Sequence, residues 1–513
     1  MTGDNIHTNA LYKGDVDQEK APGYHHHVED VDRQKLPNDG QDRHLAVKIP
    51  DSLIGLTDDE VDVIDRAATR KLDMLLMPIL CTLYILNYLD RQNITSAKIG
   101  GLTADLNMST SDFATCVAVL FAGYISLQIP SNMLAGRLSK PGVYICFACA
   151  CWGIVSACTG AVQSYPGMVV CRMILGFTEA AFFPGAVFLL SQFYTRKQLA
   201  LRTGILYSGS QVGNAFGGLF ALACLQLDGA HGLEGWRWLF IIEGAMTVGF
   251  AIIFAFFIPN KPANMRWVNL QERERLMYRL EVDRGTQDAT EEISTRHAFV
   301  MALTDKKVWL LAFTIWTNWI AAAVTNFFAV VVQSLGFNRT TTLAITAPPY
   351  ILCIIVIVLV GWHSDKTNER TWHIVASMSV CILANIIALA TLNTGARYFA
   401  MMIMPGSFYG ATIVLLSWIS SCITGPAVTR AIAIAMINSF GNSANIWTSY
   451  LYRPPRYVLA FSVNLGASIV CILLVLCINR YLRHLNARLD RGEDIGKHGP
   501  TLVQKEANYR FAL

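Results

Sequence analysis

Between Leu72 and Tyr481 the chain repeats one pattern: an apolar run, a polar break, and another apolar run. Each run is about twenty residues long, the length an α-helix needs to cross the hydrocarbon of a bilayer. The runs are continuous rather than alternating, which argues against a transmembrane barrel. Composition agrees, with 53% of the 513 residues hydrophobic and 15% charged, where a soluble protein carries about a quarter. The expected fold is therefore an all-α membrane protein with about twelve transmembrane helices. Their centres fall near residues 82, 123, 152, 179, 214, 248, 320, 351, 382, 409, 441 and 469.

A hydrophilic stretch from Asn260 to Lys307 splits these runs into two sets of six. The expected organisation is a polar N-terminal tail (1–71), a first six-helix half (72–259), a central loop (260–307), a second half (308–481) and a C-terminal tail (482–513). Lys and Arg crowd the breaks at Arg137 and Lys140, at Arg196, Lys197 and Arg202, in the central loop, and after Arg483. The opposite breaks are poorer in them, so the positive-inside bias puts both termini in the cytosol. Two glycosylation sequons, at Asn107 and Asn338, then fall outside.

The tail lacks an early apolar core, so no signal peptide is expected. Its His25–His27 tract reads as solvated chain rather than a metal site. Thr57 and Glu60 fit a capping box opening a short helix through Arg70. In the central loop, Leu276, Met277 and Leu280 share one side of a helix that suits either the membrane surface or a solvated linker. Cys146 and Cys149, a C-x-x-C in an apolar run, read as small apolar side chains in a helix contact. A net charge of +4 calls for no nucleic-acid partner.

Ionisable side chains inside apolar runs carry the functional signal, because charge in a bilayer is costly. Asp90 and Arg91 stand side by side at the end of the first run. Arg172 and Glu179 lie seven residues apart in the fourth, close to two helical turns, and so share a face. Arg91 suits a bidentate grip on a carboxylate, and Asn87 and Tyr84 precede it on the same face. Pairing with Asp90 is its plainer alternative. Glu179 has no basic neighbour in the next turn, so it suits loading and unloading a proton, with Arg172 as an intermittent partner. Asp90 is either a second proton carrier or a fixed salt-bridge partner. Glu243, in the sixth run, reads first as a helix–helix hydrogen bond and second as another coupling group.

Uncharged polar residues in the runs (Gln128, Gln211, Asn214, Asn318, Asn326, Asn438, Asn442 and Asn445) read mainly as interhelical glue. Trp316, Trp319, Phe327 and Tyr350 read as core or belt aromatics before ring-stacking ones. Gly209, Gly213 and Gly217 make a small-residue stripe for close helix approach. Gly136-Arg-Leu-Ser-Lys140 and Gly361-Trp-His-Ser-Asp365-Lys366 recur at equivalent breaks, as expected of a carrier built from repeated halves.

The motif Gly361-x-x-Ser-Asp365-Lys366-x-x-x-Arg370 resembles the cytosolic loop motif of the major facilitator superfamily. More narrowly, the ordered set Tyr88-Leu-Asp90-Arg91-Gln-Asn93-Ile, Pro130-Ser-Asn132, Arg172-Met-Ile-Leu-Gly176-Phe-Thr-Glu179, Phe183-Pro-Gly185, Gly235-Trp-Arg-Trp and Asn438 to Asn445 resembles the fungal anion:cation symporter group, the allantoate permease family. That resemblance implies a twelve-helix carrier in which Arg91 meets a substrate carboxylate and Asp90 and Glu179 carry protons. Arg172 matches the relatives' fourth-span Arg, and Gly361, Asp365, Lys366 and Arg370 would serve gating. Gln128 stands where many fungal relatives have Glu, which removes one titratable site.

The expected function is proton-coupled uptake of a small organic anion across the plasma membrane by a monomer. The cargo would be a vitamin-like monocarboxylate such as nicotinate or pantothenate, or an allantoate-like anion, and the proton gradient would replace any cofactor. The alternatives are an exporter of a fungal metabolite or toxic anion, and a nutrient sensor signalling from its tails. An enzyme is disfavoured: no G-x-S-x-G, H-E-x-x-H or phosphate loop is present.

Overall fold

A computed structural model describes residues 50–265, 267–288, 294–424, 427–493, 495, 496, 498–500 and 509–513. The tail through residue 49, with His25–His27, lies outside the described residues. The first helix, α1 (Asp58–Ile99), opens on the expected capping box: the Thr57 hydroxyl accepts from Glu60 N, and the Glu60 carboxylate accepts from Thr57 N at 2.9 Å. No short helix ends at Arg70. Instead α1 runs unbroken for 42 residues. Good helix formers span the junction, and two of its charges are paired from outside: Lys71 by Glu272 at 2.8 Å and Asp73 by Arg202 at 2.7 Å.

After α2 (Leu102–Asp105) come α3 (Thr110–Arg137), α4 (Pro141–Thr159), α5 (Tyr165–Glu179), α6 (Phe182–Ser191), α7 (Arg196–Leu225) and α8 (Gly235–Phe257). The connecting stretch holds α9 (Leu270–Asp288) and α10 (Thr295–Thr304). The later set is α11 (Lys306–Ala322), α12 (Phe328–Gln333), α13 (Arg339–Ala344), α14 (Ala347–Thr367), α15 (Thr371–Ala390), α16 (Thr394–Cys422), α17 (Ala427–Asn442), α18 (Ala444–Thr448) and α19 (Val458–Asp490).

Ten spans among the described residues are long and apolar enough to cross a membrane. The runs expected near 214 and 441 fall on α7 and on α17–α18, which are not among the ten. Both helices are rich in small and polar residues that serve contacts with neighbouring helices. The glycine stripe of α7 lies on α1: a Cβ at Gly213 would come within 2.8 Å of Ile85 O.

The connecting stretch behaves differently from either expected reading. Helix α9 clamps onto the first turns of α1: Arg279 donates to both Asp65 oxygens at 3.1 Å and to Thr69 at 2.7 Å. Leu276 and Leu280 are buried, while Met277 stays exposed. At this same end the last residues return to the bundle. Phe511 is buried, its backbone N–H donates to Asn486 Oδ1 at 2.9 Å, and its ring lies 4.7 Å from Lys307 Nζ. Trp418 donates to Ala512 O at 2.9 Å, and Arg370 N donates to Leu513 O at 2.6 Å.

Helices pack chiefly within their own set, and the two sets meet at the end opposite α9. There Thr115 and Tyr450 are hydrogen-bonded at 3.1 Å, and Phe113 meets Phe327 edge to face. The tightest approach is at Gly218 of α7, where a Cβ would stand 2.1 Å from Thr346 Oγ1 and 2.4 Å from Leu343 O. Gly218→Ala should therefore cost about 1–3 kcal/mol through overpacking and lower the melting temperature of the purified protein. Gly249→Ala, where nothing lies within 4 Å, is the control that should leave it unchanged or slightly raised. Equal melting of the two variants would contradict the close approach.

Candidate functional site

Adjacent residues on a helix point about 100° apart, so Asp90 and Arg91 enter different surroundings. Arg91 turns toward α5, and its Nε donates to Glu179 Oε2 at 2.6 Å. The two side chains are 16% and 0% exposed. The guanidinium also lies over the Tyr124 ring at 4.8 Å and the Tyr88 ring at 5.4 Å. Gly176 makes this meeting possible: a Cβ there would stand 2.2 Å from Leu120 O, so α5 approaches α3 backbone to backbone. Glu179 thus has a basic partner, supplied by α1 and not by Arg172. The spacing along one helix could not reveal it.

Asp90 turns instead toward α4. Ser156 donates to its Oδ1 at 2.8 Å and stands 3.4 Å from Glu243 Oε2 on α8. Asn93 donates to the same Glu243 oxygen at 2.5 Å. Two facing glycines bring α4 and α8 together: a Cβ on Gly244 would meet Gly153 O at 2.4 Å. Arg172 is buried among the Asp90, Glu179 and Glu243 carboxyls. Its Nε and Nη2 have no hydrogen-bond partner, and the guanidinium lies 5.6 Å from the Phe240 ring. Five helices, α1, α3, α4, α5 and α8, therefore enclose five ionisable groups. Four of them, Asp90, Arg91, Arg172 and Glu179, are the charged residues the sequence singles out, and Glu243 is the one it points to only weakly.

Tyr84 meets Tyr88, the ring beside the Arg91 guanidinium, edge to face at 5.1 Å. It stacks on Phe182 and Phe183, each at 5.6 Å, and is core between α1 and α6. Asn87 is buried, with its Nδ2 unpartnered. Sequence reasoning missed Tyr88, Tyr124, Tyr207 and Tyr409. Tyr207 on α7 and Tyr350 on α14 converge on Tyr409 of α16, and both their hydroxyls are buried without a partner. Orphaned donors at the junction of the two helix sets can meet an acceptor-rich solute. The available signal was the tyrosine hydroxyls set inside apolar runs.

The uncharged polar residues mostly join helices. Asn214 accepts from Gln92 at 3.1 Å, Asn318 donates to Thr412 at 2.7 Å, Asn326 to Asn445 at 2.8 Å and Ser439 to Gln128 at 3.3 Å. Phe327 stacks on Tyr452 with centroids 4.5 Å apart, and Trp316 meets Phe440 and Trp447. Cys146 and Cys149 are buried free thiols.

The motif residues close the last turns of α14 onto the start of α15. Arg370 donates to Asp365 at 2.6 Å and to Ser364 at 3.0 Å, while Lys366 lies 5.1 Å from the Trp362 ring. A Cβ on Gly361 would meet only Ile413, at 3.9 Å. Asn107 and Asn338 are both exposed at the end opposite α9; Asn338 also caps α13 through Thr341 N at 2.8 Å. A cavity of about 460 Å³ lies at that end, lined by Ser109, Ser111, Tyr450, Tyr452 and Arg453.

Removing one partner of a buried ion pair strands the other, at a cost of about 3–5 kcal/mol. Arg91→Gln should accordingly lower the melting temperature of the purified protein. Arg91→Gln with Glu179→Gln should recover most of the loss, because nothing charged is left unpaired. Additive losses in this double-mutant cycle would contradict the pairing.

The Major Facilitator Superfamily signature matches residues 80–449. Among curated proteins, the chain is 30% identical to "MFS-type transporter cnsO" of Penicillium expansum over 446 residues, covering 83% of this chain and 85% of that one. It is 27% identical to the "High-affinity nicotinic acid transporter" of Saccharomyces cerevisiae over 459 residues, covering 87% and 85%. Among solved structures, the xylose transporter XylE from E. coli in a partially occluded inward-open conformation aligns with a TM-score of 0.62 at 13% identity, over 78% of this chain and 96% of that one. An inward-facing bacterial homologue of the lysosomal transporter Spinster aligns with a TM-score of 0.58 at 18% identity, over 78% and 94%. These two alignments establish the fold. The chain belongs to the Major Facilitator Superfamily, as an all-helical, multi-pass membrane protein of a transporter family and not an enzyme.

Proposed function

We propose that this protein is a proton-coupled importer of a small organic anion, with a monocarboxylate of the nicotinate or pantothenate kind, or an allantoate-like anion, as cargo. In this reading it is a twelve-helix monomer of the allantoate permease group in the plasma membrane. Helices α7 and α17–α18 complete the twelve, and the α9 end faces the cytosol, as the Lys and Arg bias requires. The observation that carries the reading is the buried Arg91–Glu179 pair at 2.6 Å.

In that pair a guanidinium that a carboxylate solute could use is occupied by the protein's own carboxylate. An external proton on Glu179 removes the negative charge that holds Arg91. The solute carboxylate then takes its place, with Tyr88 and Tyr124 flanking the guanidinium. The two helix sets rock, and the proton leaves into the more alkaline cytosol. Glu179 recaptures Arg91 and displaces the anion. Substrate and proton bias one two-state element through their different affinities for its states. The 27% identity to a nicotinic acid transporter supports the cargo class.

The test is uptake of labelled nicotinate, pantothenate and allantoate by transport-deficient yeast expressing the protein, at acid and neutral pH, with and without a protonophore. Uptake of at least one should be faster at acid pH and abolished by the protonophore. Arg91→Gln, correctly delivered to the surface, should lower it at least about tenfold, the equivalent of 1.4 kcal/mol. Equal uptake with the protonophore present would remove proton coupling.

A further inference from the structure

Beside the Arg91–Glu179 pair lies a second polar group that the transport reading leaves unused. Asp90 on α1 and Glu243 on α8 are fully buried, and one hydroxyl, that of Ser156, lies within reach of both carboxyls. Ser156 sits between them with a single hydroxyl hydrogen, 2.8 Å from Asp90 Oδ1 and 3.4 Å from Glu243 Oε2. Asn93 fills the other site on Glu243 Oε2, at 2.5 Å. Asp90 Oδ2 and Glu243 Oε1 are left buried with no donor. An ionised carboxylate only accepts, whereas a protonated carboxyl also donates. Two ionised groups here would be acceptors sharing one hydroxyl, with no donor for their free oxygens. One proton supplies the missing donor.

Charge counting reaches the same answer. The groups around this point are Asp90 and Arg91 on α1, Arg172 and Glu179 on α5, and Glu243 on α8. Ser156 on α4 and Cys116 and Tyr124 on α3 are uncharged neighbours. Both guanidiniums stay charged. With all three carboxyls ionised, the cluster would carry one net negative charge in an apolar interior, which is costly. With one proton it is neutral.

We infer that Asp90 and Glu243 form an acid pair that holds one proton, and that Glu243 is a proton-binding residue of this protein. The use of that proton in transport rests on the coupled-importer reading; the pair itself does not. Its release is a heterolytic O–H cleavage in which the electron pair stays on the carboxylate oxygen and the proton passes to solvent. Arg172, whose Nε and Nη2 lack partners, is the donor placed to take over the exposed acceptors once the proton has gone. The structure thereby separates the proton store, between α1, α4 and α8, from the guanidinium of Arg91 that faces α3 and α5.

Infrared spectroscopy of the full-length protein in lipid nanodiscs, without any solute, reads this directly. The parent should show the carbonyl band of a protonated carboxylic acid at neutral pH, and Glu243→Gln should lose it, because the Gln amide donates to Asp90 without a proton. Ser156→Ala keeps both carboxyls and should shift the band without abolishing it; this variant decides the matter if Glu243→Gln does not fold. Absence of the band in the parent, a band surviving Glu243→Gln, or a band that Ser156→Ala leaves unmoved would overturn the assignment. A correct band together with protonophore-insensitive uptake would keep the acid pair and reject the coupled importer.

Discussion

A guanidinium with nowhere else to go governs the first half of this structure. Arg91 cannot lose its charge, and its side chain is largely removed from solvent. Glu179 is its answer, and reaching Glu179 requires α5 to come close to α3. Gly176 and Gly123 allow that: a Cβ at Gly123 would stand 2.6 Å from Met173 O. The glycines of α4 and α8 do the same for Asp90, Ser156 and Glu243. Small residues thus set the helix spacing, and the spacing puts charges within bonding distance. A buried pair of this kind is poor evidence for stability. In the proposed transport cycle its value lies in being exchangeable, because a solute carboxylate would offer Arg91 the same contact.

The two ends of the molecule are built differently. Opposite α9 the two helix sets touch directly, at Gly218 and at Thr115–Tyr450. At the α9 end the contacts belong to the connecting stretch and the last residues. Arg279 ties α9 to the extended start of α1. Phe511 and Leu513 tie the chain's last residues to α19 and to the start of α15, beside the Asp365–Arg370 turn. Residues that join the sets at one end, and straps that stay within one set at the other, suit an arrangement in which the α9 end has room to move.

Much of the fold was legible because hydropathy reads helix by helix. The apolar runs, the connecting stretch and the capping box at Thr57 all needed only local spacing. The ten spans follow from length and apolarity, while α7 falls short because of its small and polar residues and α17 because it breaks after 16 residues, before α18. The site was half legible. Scarcity of charge picked out Asp90, Arg91, Arg172 and Glu179, since a charge in an apolar run announces itself. Which of them pair did not follow, because Arg91 and Glu179 stand 88 positions apart. Tyr84 shows a related limit: sharing a helical face with Arg91 says nothing of what the neighbouring helix brings, and α6 brings Phe182 and Phe183 to the same ring that meets Tyr88. The extension of α1 through Arg70 was hidden because its charges are answered by Glu272 and Arg202, far along the chain.

The claim at the centre is that Glu179 and the solute compete for one guanidinium. Equilibrium binding of radiolabelled nicotinate and pantothenate to the purified protein at neutral pH measures that competition without transport. The account predicts that Glu179→Gln, which frees Arg91, binds at least one of them more tightly than the parent and loses the dependence on acid, while Arg91→Gln binds neither. Weaker binding by Glu179→Gln, or parental binding by Arg91→Gln, would contradict it.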